Sequence, residues 1–294
     1  MSNHSPFYSQ CYHHDAQSRM KDSDILVINH ALFFANLAAG GRVLPAYDVV
    51  IFDEAHSIEE VAASHMGISL TNFALKWQLD QIHNPETEKG LALRFGDLGP
   101  AWRRGVFELV KSLRRAADYF FQNILNQFPA AVGSRSIRIR KPHLVPDTLT
   151  SPIDELAGHL REGRDKLNAL EDKQELKAYA DRISGMARAI EMFLSHEDRL
   201  RREDAVYWIE IEKRARGTRV QLRAAPVDLS KALRTALFND EGATAILTSA
   251  TLTVQDDFEF IQFRIGAQSV QGISLGSPFD YERQCLLYMP EKMP

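Results

Sequence analysis

Four apolar residues, Val49 to Phe52, run without interruption into Asp53, Glu54, Ala55 and His56. A continuous Val/Ile run is the pattern of a strand buried on both faces of a parallel sheet. Ligands of open α/β sheets bind outside the carboxyl ends of such strands, so the acids fall where a parallel sheet does its chemistry. A second run, Asp24 to His30 (DILVINH), has the same character and predicts a second buried strand.

Between about Gly67 and Asp204 no such run occurs. Apolar residues recur there at three- and four-residue spacing, from Trp102 to Phe128 and from Ile153 to Leu200, which predicts amphipathic helices. The intervening stretch, Pro129 to Pro152, reads as a loop with room for a short strand. Strands return at Ala205 to Lys213, Thr218 to Val227 and Thr244 to Leu252, the first two joined by a turn containing Gly217. The order strand, long helical stretch, strand predicts an α/β sheet domain interrupted by a mostly helical insert.

Composition narrows the class. The chain is 45% hydrophobic and 25% charged, ordinary for a globular protein, and no stretch approaches the roughly 18 uninterrupted apolar residues of a membrane helix. The first residues lack the apolar core of a signal peptide, and Cys11 and Cys285 are too few for a disulfide framework. A cytoplasmic protein without membrane association is expected. The net charge of −4 does not point to nucleic acid, but its distribution is uneven. Nine Lys or Arg residues lie between Ala101 and Lys141 against only Glu108 and Asp118, as in a solvated helix face or a phosphate-tracking surface.

Adjacent acids at a strand end can divide the work of nucleotide hydrolysis. One holds Mg²⁺, an ion that keeps several waters and takes one or two carboxylates; the other orients or deprotonates the attacking water. An arbitrary Asp-Glu pair would instead cap the next helix. Four apolar residues leading into Asp-Glu-Ala-His resemble the DEAH box of superfamily 2 helicases. Ile246 to Thr253 (ILTSATLT) resembles the Ser-Ala-Thr motif III of the same enzymes. The long interval between the two resembles the XPD-like branch, above all the DinG-type helicases, whose helical arch interrupts the first RecA-like domain. Ser23 to Phe33 (SDILVINHALF) and Gly276 to Tyr281 (GSPFDY) also resemble DinG-like segments.

The resemblance implies a RecA-like, P-loop NTPase type parallel sheet, incomplete in this chain. Residues 1–23 would be a remnant of the iron–sulfur insert, 24–66 RecA-like domain 1 with the DEAH box, and 67–204 the arch. Residues 205–276 would return to domain 1, and 277–294 would lead into RecA-like domain 2. Asp53, Glu54 and His56 would be catalytic, with Mg²⁺ held by Asp53 through water. Ser249, Ala250 and Thr251 would couple hydrolysis to movement. ATP and Mg²⁺ are the implied cofactors, and single-stranded or forked DNA the implied partner, traversed 5′ to 3′ in repair or replication. Arg103, Arg104, Arg114, Arg115, Arg138, Arg140 and Lys141 are the candidate phosphate contacts. Trp102, Phe120 and Phe121 are weaker stacking candidates that more naturally pack a helical core.

No G-x-x-x-x-G-K-[ST] phosphate loop occurs in the sequence. The resemblance places that loop upstream and the second RecA-like domain downstream, so the expectation is an internal piece of a larger helicase, completed in the same or a companion chain. Cys11 falls where the last ligand of the family's [4Fe–4S] cluster would stand. Such a cluster normally needs four thiolates, so this chain alone is not expected to hold one. Ser5 stands where another cysteine would be expected, and His4, His13 and His14 read as exposed terminal histidines rather than a metal site. Cys285 reads as a buried strand residue. A non-catalytic module binding single-stranded DNA or a partner is the alternative, and a two-metal nuclease is disfavoured by the lack of a second acidic cluster.

Overall fold

The computed structural model describes residues 11–289 apart from 39, 42, 130–134, 197–204, 216, 240, 241 and 287. His4, Ser5 and the outer ends of segments 1–23 and 277–294 lie outside the described residues. In chain order the elements are α1 (Tyr12–Lys21), α2 (His30–Ala38), β1 (Val49–Phe52), α3 (Ile58–Met66), β2 (Ile68–Thr71), α4 (Asn72–Ile82), α5 (Gly99–Gln127), β3 (Arg135–Ile139) and α6 (Thr150–Lys166). They continue with α7 (Leu170–Ser195), β4 (Ala205–Arg214), β5 (Gly217–Pro226), α8 (Ser230–Leu237), β6 (Thr244–Leu247), α9 (Glu259–Ile265) and α10 (Tyr281–Gln284). They fall into two compact units, Met1–Pro45 with Glu60–Asp228, and Ala46–Glu59 with Leu229–Pro294.

The larger unit packs helices on an antiparallel sheet of strand order β2-β5-β4-β3. The helix α5 starts with Pro near its first position, where the missing N–H costs nothing. It buries Trp102, Val106, Val110, Leu113, Phe120, Phe121 and Ile124, one stripe at helical spacing. The aromatics Trp102, Phe120 and Phe121 are thus core residues. The two helices α6 and α7 form an antiparallel pair, with Leu156 and Leu160 on one and Ile183, Ala187 and Ile190 on the other all buried. Close approach of α5 and α6 rests on two glycines. A Cβ on Gly163 would lie 2.6 Å from the indole nitrogen of Trp102, and one on Gly105 would lie 2.6 Å from His159 Nε2. Trp102 and His159 stack, and each side chain hydrogen-bonds the other's carbonyl, at 3.1 and 3.0 Å.

On the sheet, Tyr207, Ile209 and Ile211 of β4 face the same core as Val220, Leu222 and Ala224 of β5. The β4–β5 hairpin, expected to return to the parallel sheet, instead joins β2 and β3 in this antiparallel one. The helical stretch after Gly67 accordingly contains two strands, β2 and β3.

In the smaller unit β1 and β6 run parallel, with Val49 opposite Thr244 and Phe52 opposite Leu247. Phe52 is buried, but Val49 and Ile51 on β1 and Ile246 on β6 are exposed, so the expectation of burial on both faces does not hold. The Asp24–His30 run is not a strand either. Residues 24–29 carry no strand pairing, and Ile25 and Val27 are 83% and 95% exposed. Apolar, β-branched composition suits a strand, but a strand exists only where a neighbour takes its N–H and C=O groups. Cys285 is exposed and outside any strand, which corrects its reading as a buried strand residue. No helix among the described residues is long and apolar enough to cross a membrane.

Candidate functional site

The parallel register of β1 and β6 decides what meets at the strand ends. Because Phe52 lies opposite Leu247, the next residues of each strand, Asp53 and Thr248, emerge side by side. Backbone bonds extend the pairing past the strands: Thr248 N–H donates to Phe52 C=O at 2.8 Å, and Ala55 N–H donates to Thr248 C=O at 2.9 Å. The Thr248 hydroxyl donates to Asp53 Oδ1 at 2.9 Å, and that oxygen also accepts the Glu54 N–H at 3.0 Å. One carboxylate oxygen is therefore fixed from two directions, and the other takes no hydrogen bond among the described residues.

Glu54 sits in the left-handed region, φ 50° and ψ 46°. For a residue with a Cβ this conformation costs about 1–2 kcal/mol. It is held by the short 3₁₀ turn Ala55–Ser57, in which the Ser57 N–H and hydroxyl both donate to Glu54 C=O at 3.0 and 2.9 Å. The turn swings His56 back toward β6. His56 Nδ1 lies 3.0 Å from Ser249 Oγ and 3.3 Å from Glu54 Oε2. A proton on Nδ1 satisfies the Glu54 carboxylate, which can only accept. Ser249 Oγ in turn accepts the Thr251 N–H at 3.3 Å. Asp53, Glu54 and His56 are exposed, as are Ala250 and Thr251, so the cluster is open to a ligand from solvent. Below it, the Arg264 guanidinium of α9 grips both oxygens of Glu59 on α3, anchoring the helix that follows the turn.

The donor set suits one kind of metal. No group of three His, Cys, Asp or Glu side chains that could hold an ion occurs among the described residues. That rules out a protein cage there, whereas Mg²⁺ uses one or two carboxylates with water and phosphate oxygens. Asp53, with one oriented and one free oxygen, fits that role. Cys11, the residue preceding α1, does not by itself fit an iron–sulfur cluster.

Of the residues expected from sequence, the strand-end set is brought together: Asp53, Glu54 and His56 stand beside Ser249, with Ala250 and Thr251 following. Thr248 was missed; its only signal was a hydroxyl residue immediately after an apolar strand. The basic residues are divided between elements. Arg104 and Arg115 lie on the exposed side of α5, while Arg138, Arg140 and Lys141 are exposed on β3 and just after it. Arg103 is half-buried, with a buried Nε that has no hydrogen-bond partner among the described residues. Arg114 is also half-buried, ion-paired with Asp80 and close to His83 C=O. Its guanidinium holds α5 to α4 and is poorly placed to meet a phosphate.

Two parallel strand ends, one carrying Asp-Glu-Ala-His and the other Thr-Ser-Ala-Thr, place the site in a mixed α/β protein. Several known proteins are similar to the chain. The Escherichia coli protein named ATP-dependent DNA helicase YoaA is 28% identical over 299 residues, covering 98% of this chain and 42% of that protein. The Mycobacterium tuberculosis ATP-dependent helicase DinG is 25% identical, covering 98% of this chain and 40% of that one. A Bacillus subtilis relative named 3'-5' exonuclease DinG is 25% identical over 92% of this chain and 32% of its own length. Over 92–98% of its length the chain is similar to these proteins named YoaA and DinG. It spans about two-fifths of the length of the YoaA relative. No protein-family model matches it.

Proposed function

We propose that this chain supplies the hydrolytic strand ends and the arch of an ATP-dependent DNA helicase that moves 5′ to 3′ along single-stranded DNA in repair or replication. The observation that carries the reading is the β1/β6 register, which sets Asp53 and Glu54 against Thr248 and Ser249. Asp53 would hold Mg²⁺ through water, and the ion would neutralise the phosphate oxygens of bound ATP. Glu54 would orient and deprotonate the attacking water. His56 and Ser249, touching across the two strand ends, would transmit the state of the site to β6 and the segment after it.

The sequence contains no phosphate loop, so the 294-residue chain by itself is not expected to turn over ATP. The test is DNA-stimulated ATP hydrolysis by the full-length protein and by this chain, each with a Glu54→Gln control. Turnover by the full-length protein that is lost in Glu54→Gln supports the reading. Full-length turnover unaffected by Glu54→Gln would remove Glu54 from the chemistry. Turnover by this chain alone would mean that a different phosphate-binding element serves the site.

A second reading is a non-catalytic DNA-binding module. The lack of a phosphate loop favours it for this polypeptide, and the intact acid pair favours the enzyme.

A further inference from the structure

The antiparallel sheet has one face on the core and one face turned away from it. Register identifies the outward row: Arg138 on β3 lies opposite Trp208 on β4, Trp208 opposite Arg223 on β5, and Arg223 opposite Ser69 on β2. Facing strands lie about 4.8 Å apart, so the two arginines bracket the indole within about 10 Å. The Arg223 guanidinium lies over the Trp208 ring, 5.3 Å from its centre. The indole N–H donates to Glu210 Oε1 at 2.9 Å, fixing the ring in place. Arg138 is exposed, as are Arg140 and Lys141 after it, and none of the three has an ion pair among the described residues. The nearest other acid on this face, Glu212, is already engaged by Arg214 and Arg219.

Basic residues on an edge strand also discourage sheets from pairing edge to edge, and β3 is an edge. That explains Arg138, Arg140 and Lys141. It does not explain a half-exposed tryptophan layered with an arginine on the interior strands β4 and β5. A fixed π-face beside cations with no ion pair among the described residues is what single-stranded nucleic acid recognises, through base stacking and phosphate attraction. The exposed stripe of α5 has Arg104, Lys111, Arg115 and the exposed ring of Tyr119, but it is interrupted by Glu108, and no cation lies over that ring among the described residues.

We propose that the outward face of this sheet is a platform for single-stranded nucleic acid, with a base stacking on the Trp208–Arg223 layer and phosphates running against Arg138, Arg140 and Lys141. This does not depend on the ATPase reading. The test is anisotropy of a labelled oligothymidylate titrated with the whole chain over a range of salt, without nucleotide. Trp208→Ala should weaken binding about ten- to hundredfold, with Trp208→Phe retaining most of it. Replacing Arg138, Arg140 and Lys141 together by Gln should flatten the log–log salt slope by about 2. Unfolding curves check the fold of each variant; if Trp208→Ala is unfolded, Arg223→Gln and Trp208→Phe decide. The proposal is overturned if the whole chain shows no salt-dependent binding. Unchanged binding in the Trp208 and triple variants, with loss on Arg104→Gln and Arg115→Gln, would move the site to α5. Aggregation of the triple variant with undiminished binding would leave those residues as edge protection and equally overturn it.

Discussion

The Thr248 hydroxyl hydrogen-bonds Asp53 Oδ1 at 2.9 Å, joining residues on different strands across the whole helical interruption. A hydrogen bond to a charged group is worth about 1.5–3 kcal/mol. Thr248→Val keeps the shape and removes the donor, so ATP turnover by the full-length protein should fall about ten- to hundredfold, with a higher Mg²⁺ requirement. Thr248→Ser should restore both. Steady-state rates across a Mg²⁺ titration check this; an unchanged Mg²⁺ dependence in Thr248→Val would deny the hydroxyl its orienting role.

Glu54 is held at φ 50°, where a Cβ is strained. Glu54→Gly and Glu54→Ala both remove the carboxylate, but only glycine relieves the backbone. The glycine variant should be the more stable of the two by about 1 kcal/mol in urea unfolding, less the added freedom of its unfolded chain. Both should fail to hydrolyse ATP in the full-length protein. Alanine equalling glycine in stability would mean that the turn relaxes.

His83 stacks on Phe107, with ring centres 3.8 Å apart, and its Nδ1 is buried without a hydrogen-bond partner among the described residues. Burial, helped by the nearby Arg114 charge and opposed by Glu88, holds its pKa below 6.5. The unfolded chain therefore binds this proton first as pH falls. The stability associated with neutral His83 is full above about 6.5 and is lost as pH drops from there toward the folded pKa. Urea unfolding at a series of pH values should show this loss, and His83→Phe should flatten it. An unchanged profile in His83→Phe would assign the acid sensitivity to another group.

Gly163 leaves no room for a Cβ beneath Trp102. Gly163→Ala should cost about 1–3 kcal/mol through overpacking at the α5–α6 crossing, read from the urea midpoint. Arg114→Gln should also destabilise this unit, since it breaks the pair with Asp80, yet leave the salt dependence of DNA binding unchanged. A flattened salt slope in Arg114→Gln would return this arginine to the DNA surface.

The acidic strand end was legible because a short apolar run and the residues after it are local signals. The Thr248–Asp53 bond was not, since it depends on a register set between strands far apart in sequence. The Asp24–His30 run was misread for a related reason: composition reports what a residue can bury, whereas strand formation also needs a partner ladder. The alternation in Ala205 to Lys213 (AVYWIEIEK) did carry information. A strand with one wet face belongs to an antiparallel sheet more readily than to a buried parallel one, and β4 adopts that arrangement. Arg114 looked like its basic neighbours because Asp80 approaches it only after α4 and α5 pack.

The most direct measurement is a double-mutant cycle on His56 and Ser249, whose side chains meet at 3.0 Å across the two strand ends. DNA-stimulated ATP turnover by the full-length protein would be compared for wild type, His56→Ala, Ser249→Ala and the double variant. If the strand ends form one working site, the losses overlap, with a coupling of about 1 kcal/mol or more. Losses that add to within about 0.3 kcal/mol would mean that the two motifs act independently, and that their contact does not serve hydrolysis.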